Sequence, residues 1–225
     1  MGDAIGQMLP TAVGIAISPL PIVAVVLMLV TPRGRVNGVT FVLGWIAGLA
    51  VVGAIVLAVA GGADASDDGQ PATWVSVLEL VLGLAALLLG ARQFRGRPRP
   101  GETPESPKWM RALDTFTPAK AAGAGVLLSA LNPKNLLLAV GGAATIAGTG
   151  IDTGQQAIAY VVFALIATIG VAAPVVIFFG LGDRAPALLD RMKRWMGQNN
   201  AVIMTILCLI IGVKLIGQGL AGLTG

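Results

Sequence analysis

Histidine is absent from this chain of 225 residues, and Cys208 is its one cysteine. Those absences exclude a Cys/His metal site, a paired-cysteine redox relay and any His-based catalytic triad. Charge is scarce as well, at 12% of residues, where soluble domains carry about 25%. No nucleophile–base pair, phosphate loop or carboxylate dyad is present, so the chain is not expected to be an enzyme, and no cofactor is expected. What the sequence has in quantity is apolar surface. It is 56% hydrophobic, with a mean hydropathy of +0.85. A soluble protein of this size has no interior large enough to hide that surface, so lipid must be its solvent. The same composition excludes a disordered chain, a disulfide scaffold and a solenoid. The 31 Gly and 13 Pro are compatible with membrane helices whose neighbours re-satisfy the freed backbone.

A membrane helix needs about 20 mostly apolar residues. Six stretches qualify: 4–30, 37–60, 74–91, 121–147, 155–181 and 201–221. The predicted fold is therefore an all-α polytopic membrane protein of six transmembrane helices. The first and fourth stretches are too long to be straight, and each carries proline near its middle. The N-terminal Met-Gly-Asp lacks the basic segment of a secretory signal, so the first stretch is expected to be retained.

Basic residues set the orientation. Arg33 and Arg35 lie between the first two spans. Arg92, Arg95, Arg97, Arg99, Lys108, Arg111 and Lys120 lie between the third and fourth. Arg184, Arg191, Lys193 and Arg194 lie between the fifth and sixth. The alternate loops hold Asp64, Asp67, Asp68 and Asp152 and no basic residue. Both termini are thus expected outside the cytoplasm, in a bacterial inner membrane. The pI near 9.7 is a topology signal, and no nucleic-acid partner is expected. Two basic segments are predicted to be surface helices on anionic lipid. One carries Trp109, Leu113 and Phe116 beside Lys108 and Arg111. The other carries Leu188, Met192 and Trp195.

The chain divides into two similar halves, 1–94 and 121–225, joined by a basic Pro/Gly-rich linker with an interfacial helix over 95–120. Each half opens with a broken span, at Ser18-Pro19-Leu20-Pro21 and at Ser129-Ala-Leu-Asn132-Pro133-Lys134-Asn135. Three spans per half is an odd number, so the halves are predicted to be inverted repeats, as in many secondary transporters. Proline cannot donate to the helix ladder. Pro19 and Pro21 are predicted to free the carbonyls of Ile15 and Ile17, and Pro133 that of Ser129. Ser18, Ser129, Asn132 and Asn135 are placed to help satisfy them. Discontinuous helices near mid-membrane are the usual material of a substrate or ion site.

Lys134 lies too deep to snorkel, and a central lysine costs about 2.5–3.5 kcal/mol on insertion scales. Glu79 and Lys214 are at similar depth and are expected to form an intramembrane ion pair. Lys134 is then left without an acidic partner, so it must meet freed carbonyls, a water-filled cavity or an anionic substrate, and an anionic group on the cargo is an attractive candidate. Gly44-Trp-Ile-Ala-Gly48 is expected to serve close helix packing, Trp74 to anchor at the interface, and Cys208 to fill the core.

With its broken first span, its Asn132-Pro133-Lys134-Asn135 and its basic central loop, the sequence resembles the LysE superfamily of small exporters. It looks most like the GAP branch, the actinobacterial Sap or sulfolipid-addressing and glycopeptidolipid-addressing proteins. The likeness runs over essentially the whole chain. It implies a six-helix transporter of two inverted three-helix units that moves glycolipids or other lipids toward the cell surface. Pro19, Pro21, Ser18, Ser129, Asn132, Pro133, Lys134 and Asn135 are the expected substrate-binding set. Expected partners are membrane lipids, a lipid or amphiphilic substrate and a larger lipid-export machine. Two other readings stand beside it: export of small solutes such as amino acids, and a non-transporting scaffold for a lipid-export machine.

Overall fold

Proline and hydropathy decide where the helices begin and stop. The computed structural model describes residues 1–62, 66–67, 70–71, 73–95 and 116–224. The first span is two helices, α1 (Gly2–Ala16) and α2 (Pro19–Leu29), bent by 47°. Ser18 between them is extended, at φ −70° and ψ 111°. A following proline disfavours the helical region for Ser18, and Pro19 itself suits the first turn of a new helix. The second and third spans are α3 (Gly34–Gly62) and α4 (Thr73–Arg95). A minimal strand pair, Ser66–Asp67 with Gln70–Pro71, lies between them.

The fourth span repeats the device of the first. Helix α5 (Pro118–Val126) runs into a π turn, Leu127–Leu131, and α6 (Pro133–Ala147) starts after an extended Asn132. The bend here is 62°. The fifth span is α7 (Thr153–Leu181), capped by the Asp152 carboxylate, which accepts from the Gln155 N–H at 3.0 Å. A 3₁₀ turn at Gly182–Arg184 leads into α8 (Ala185–Thr224). Among the described residues, four helices are long and apolar enough to cross a membrane, and counting each bent pair as one span gives six.

Helix α8 corrects one expectation. The surface helix around Leu188–Trp195 and the last span were read as separate, yet they form one helix of 40 residues. At about 1.5 Å per residue it reaches roughly 60 Å, well beyond a hydrocarbon core of about 30 Å. Ala185 and Leu189 bury their side chains, while Leu188 and Trp195 face outward beside Arg191 and Arg194. The other predicted surface helix lies outside the described residues except for Phe116. Its carbonyl accepts from Asn37 Nδ2 at 3.0 Å, which ties the end of the linker to the start of α3.

The Gly44/Gly48 pair performs the predicted packing. A Cβ on Gly44 would fall on the Ala122 carbonyl oxygen, and one on Gly48 on the Ser129 hydroxyl. Small residues thus let α3 and α5 touch backbone to backbone. Helix α4 lies along α8 as the matching contact of the other spans. Phe41, Trp45, Met8, Ile15 and Phe163 fill the middle. Outward faces carry exposed apolar side chains, such as Val51 and Ile55 on α3 and Leu165 and Ile169 on α7. The chain ends, Glu79 and Thr149 gather at one end of the bundle, here called the terminal face. Thr31–Val36, Pro118 and Phe178 gather at the opposite, arginine face.

Candidate functional site

The two breaks meet inside the bundle. Lys134, only 6% exposed, donates from Nζ to the Gly14 carbonyl at 2.8 Å and to Ser18 Oγ at 3.3 Å. Ser18 Oγ in turn donates to Asn135 Oδ1 at 3.1 Å. Asn135 Nδ2 donates to the Leu128 carbonyl at 2.8 Å. Ser18 and Asn135 are themselves buried. Side chains from the second break therefore close the hydrogen-bond deficit of the first, across 116 to 120 residues of sequence.

The freed carbonyls differ by one residue from those the sequence suggests. Ile15, expected to be free, accepts the Ser18 N–H at 3.0 Å in a tightened last turn. Ser18 no longer donates to Gly14, as an α-helix would require, and Gly14 becomes the acceptor for Lys134. At the second break the π turn shifts the register to i→i+5. The carbonyl that Pro133 leaves without a donor is then Leu128, in place of Ser129, and Asn135 supplies the missing donor. The π turn and the pairing of Asn135 with Leu128 across it both mark this shift, which the rule of four residues does not announce.

Of the predicted set, the structure brings Ser18, Lys134 and Asn135 together. Asn132 caps α6, its Oδ1 accepting from the Lys134 N–H at 3.1 Å. Pro19 and Pro133 occupy the first positions of α2 and α6, and Pro21 lies in the first turn of α2. Ser129 stands apart. Its hydroxyl donates to the Val126 carbonyl and packs where Gly48 leaves room. Cys208, a buried core residue as expected, is within electrostatic reach of Lys134.

Two half-helices begin at the knot and two end there, so partial charges of both signs meet. The Lys134 ammonium lies on the Gly14 carbonyl in the last turn of α1 and on Ser18 at the start of α2, and both partners are neutral. An ammonium has three donors, so one remains for a further acceptor. Convergent N-termini and a cation are a ready place for an anion.

A second polar group lies at the terminal face, in a cavity of about 570 Å³. The Glu79 carboxylate, 3% exposed, accepts from Thr145 Oγ1 at 3.0 Å. Lys214 Nζ donates to Gln218 Oε1 at 2.5 Å, and Gln218 Nε2 donates to Gln7 Oε1 at 3.0 Å. Glu79 and Lys214, the expected pair, line the same cavity within Coulombic reach, and each makes its hydrogen bond with another residue. Gln218, one turn on along the same helix, gives Lys214 a local partner. Neither Thr145 nor the two glutamines had been singled out, because an uncharged polar residue near a span end carries no signal of its own. Leu82 and Leu215 pack against Gly141, between Thr145 and Lys134 along α6.

A third feature is a cavity of about 570 Å³ at the arginine face, lined by Arg33, Arg35, Pro118 and Phe178 among others.

No curated protein and no solved structure matches the chain. Its sequence does match one family profile, described as "Sap, sulfolipid-1-addressing protein", over residues 8–221. That match takes in both breaks, the linker and all six apolar stretches, and the chain belongs to the Sap, sulfolipid-1-addressing protein family.

Proposed function

We propose that the protein is a transporter that moves an anionic lipid or glycolipid outward from the cytoplasmic leaflet, with Lys134 receiving its anionic group. The observation that carries this reading is the buried Lys134 ammonium between two half-helix N-termini, held by neutral acceptors alone. Exposed apolar side chains flank both breaks: Ile17, Leu20 and Leu131. The polar knot thus lies one layer beneath the lipid-facing surface, which suits a cargo whose chains stay in the bilayer. The family's name supplies a sulfolipid as the kind of cargo to try first. In this reading the two halves, 1–94 and 121–225, are inverted repeats. The arginine face meets the cytoplasm, and the linker 95–120 lies on that leaflet. No nucleotide-binding loop is present, so a gradient or an outside partner drives the cycle.

The test is Lys134→Met in liposomes carrying a fluorescent sulfated lipid or a fluorescent zwitterionic one. Removing the ammonium leaves the Gly14 carbonyl unpaired, at about 1–3 kcal/mol. It also removes the desolvation of a central lysine, about 2.5–3.5 kcal/mol. Stability in detergent should therefore be unchanged or raised. Movement of the sulfated lipid should be lost, and Lys134→Arg should retain part of it. Preserved movement in Lys134→Met, or collapse of its fold, would return Lys134 to a purely structural role.

A further inference from the structure

The terminal-face cavity holds Glu79, an acidic side chain buried within a span, and the lipid-binding reading makes no use of it. Glu79 is buried, yet it opens on a cavity with polar walls from four helices: Asp3 and Gln7 of α1, Glu79 of α4, Thr145 of α6, and Lys214 and Gln218 of α8. A buried carboxylate in a membrane is expensive and marks an ion or proton pathway more often than a packing contact. Its hydrogen-bond donor is a neutral hydroxyl. The nearest cation, Lys214, is turned away toward Gln218.

From this geometry we propose that the terminal-face cavity is a proton-binding site, with Glu79 as the acceptor, whose protonation state sets whether the bundle is clasped at this face. The proposal rests on the transport reading above and adds a proton-dependent gate to it. Two arrangements of the same groups follow. With Glu79 protonated, Lys214 has no anion to seek and donates to Gln218, as observed. Gln218 then keeps its hydrogen bond to Gln7, and α8 is clasped to the first half of the broken span, α1. When Glu79 gives its proton to cavity water, the carboxylate attracts Lys214 across the cavity. Lys214 leaves Gln218, and the clasp between α8 and α1 loosens. Lys214 keeps its own protons throughout, so one proton is bound or released per cycle. The groups that face Glu79 are few. Helix α8 presents Lys214, α6 presents Thr145 and nothing titratable, and α1 presents Asp3, which is exposed at the rim. The apolar layer of Leu82 and Leu215 lies just beneath, where a loosened α1 would open a path from Lys134.

The test reads the clasp and needs no cargo. Spin labels at Gly6→Cys and Leu220→Cys, both exposed positions, report the α1–α8 separation in lipid nanodiscs, in a Cys208→Ala background. Acidic buffer should favour the short distance and alkaline buffer a longer one. Glu79→Gln, which keeps an oxygen for Thr145, should hold the short distance at every pH. Lys214→Gln should remove the response as well, and Asp3→Asn should leave it intact. A wild-type distance that ignores pH, a response that survives in Glu79→Gln, or one that vanishes in Asp3→Asn would overturn the proposal. If Glu79→Gln does not fold, Lys214→Gln alone decides: a retained response there also overturns it. A pH-responsive clasp in a protein that moves no labelled lipid would sink the transport reading and leave the proton site standing. Lipid movement with a clasp indifferent to pH would do the reverse.

Discussion

At the scale of the residue, two side chains close a gap that proline opens in a solvent unable to fill it. In hydrocarbon each unpaired backbone group costs several kcal/mol, so the bonds of Asn135 count toward the fold in full, whereas those of Lys134 are offset by the cost of burying its charge. Asn135 is the more structural of the two, because it donates to Leu128 and accepts from Ser18 at once. Asn135→Leu keeps the branched shape and removes both bonds. It should cost about 1–3 kcal/mol for each buried partner left alone, seen as a clear fall in the melting temperature in detergent. Asn135→Leu with wild-type stability would mean that water fills the break. The importance of Lys134 and of the Asn132-to-Asn135 run was legible in the sequence, because a lysine or amide at that depth needs a partner. The partners were not. The rule of four residues points to Ile15, Ile17 and Ser129, while a tightened turn at one break and a widened turn at the other move the acceptors to Gly14 and Leu128.

At the scale of the element, hydropathy and proline placed the apolar spans among the described residues and both breaks, since those signals are local. The length of helix α8 escaped them. Gly197-Gln198-Asn199-Asn200 has the composition of a helix stop. Asn199 instead donates to the Trp195 carbonyl one turn back, and buried Leu189 and Met196 hold the approach to it in place. Packing overrides local preference there. The glycines separate by the same logic. Gly44→Ala drives a methyl group into the Ala122 carbonyl of a fixed backbone and should cost about 1–3 kcal/mol. A Cβ on Gly217, two turns from the end of α8, meets nothing within 4 Å. Gly217→Ala should be neutral or stabilise by up to about 1 kcal/mol through helix propensity. Paired melting curves in one detergent check both, and equal shifts would mean that the α3–α5 contact is looser than its geometry.

At the scale of the whole molecule, direction is what gives the two polar sites their order. The proposed cargo reaches Lys134 from the arginine face and leaves past the Glu79 cavity, and the protons enter by that same cavity. All of this depends on which face meets the cytoplasm. The charge pattern supplies the argument, because loops rich in Lys and Arg stay on the cytoplasmic side and are drawn to its anionic lipids. Arg33 and Arg35 open on the cavity at that face, while Asp67 and Asp152 belong to loops without a basic residue. In a Cys208→Ala background, Asp67→Cys and Asp152→Cys should react with an impermeant thiol reagent on intact cells. Arg99→Cys, in the linker outside the described residues, should react only after the membrane is opened. The opposite pattern would leave the knot and the fold untouched but turn the cycle around: the Glu79 cavity would then sample the cytoplasm, and the protein would draw its lipid inward.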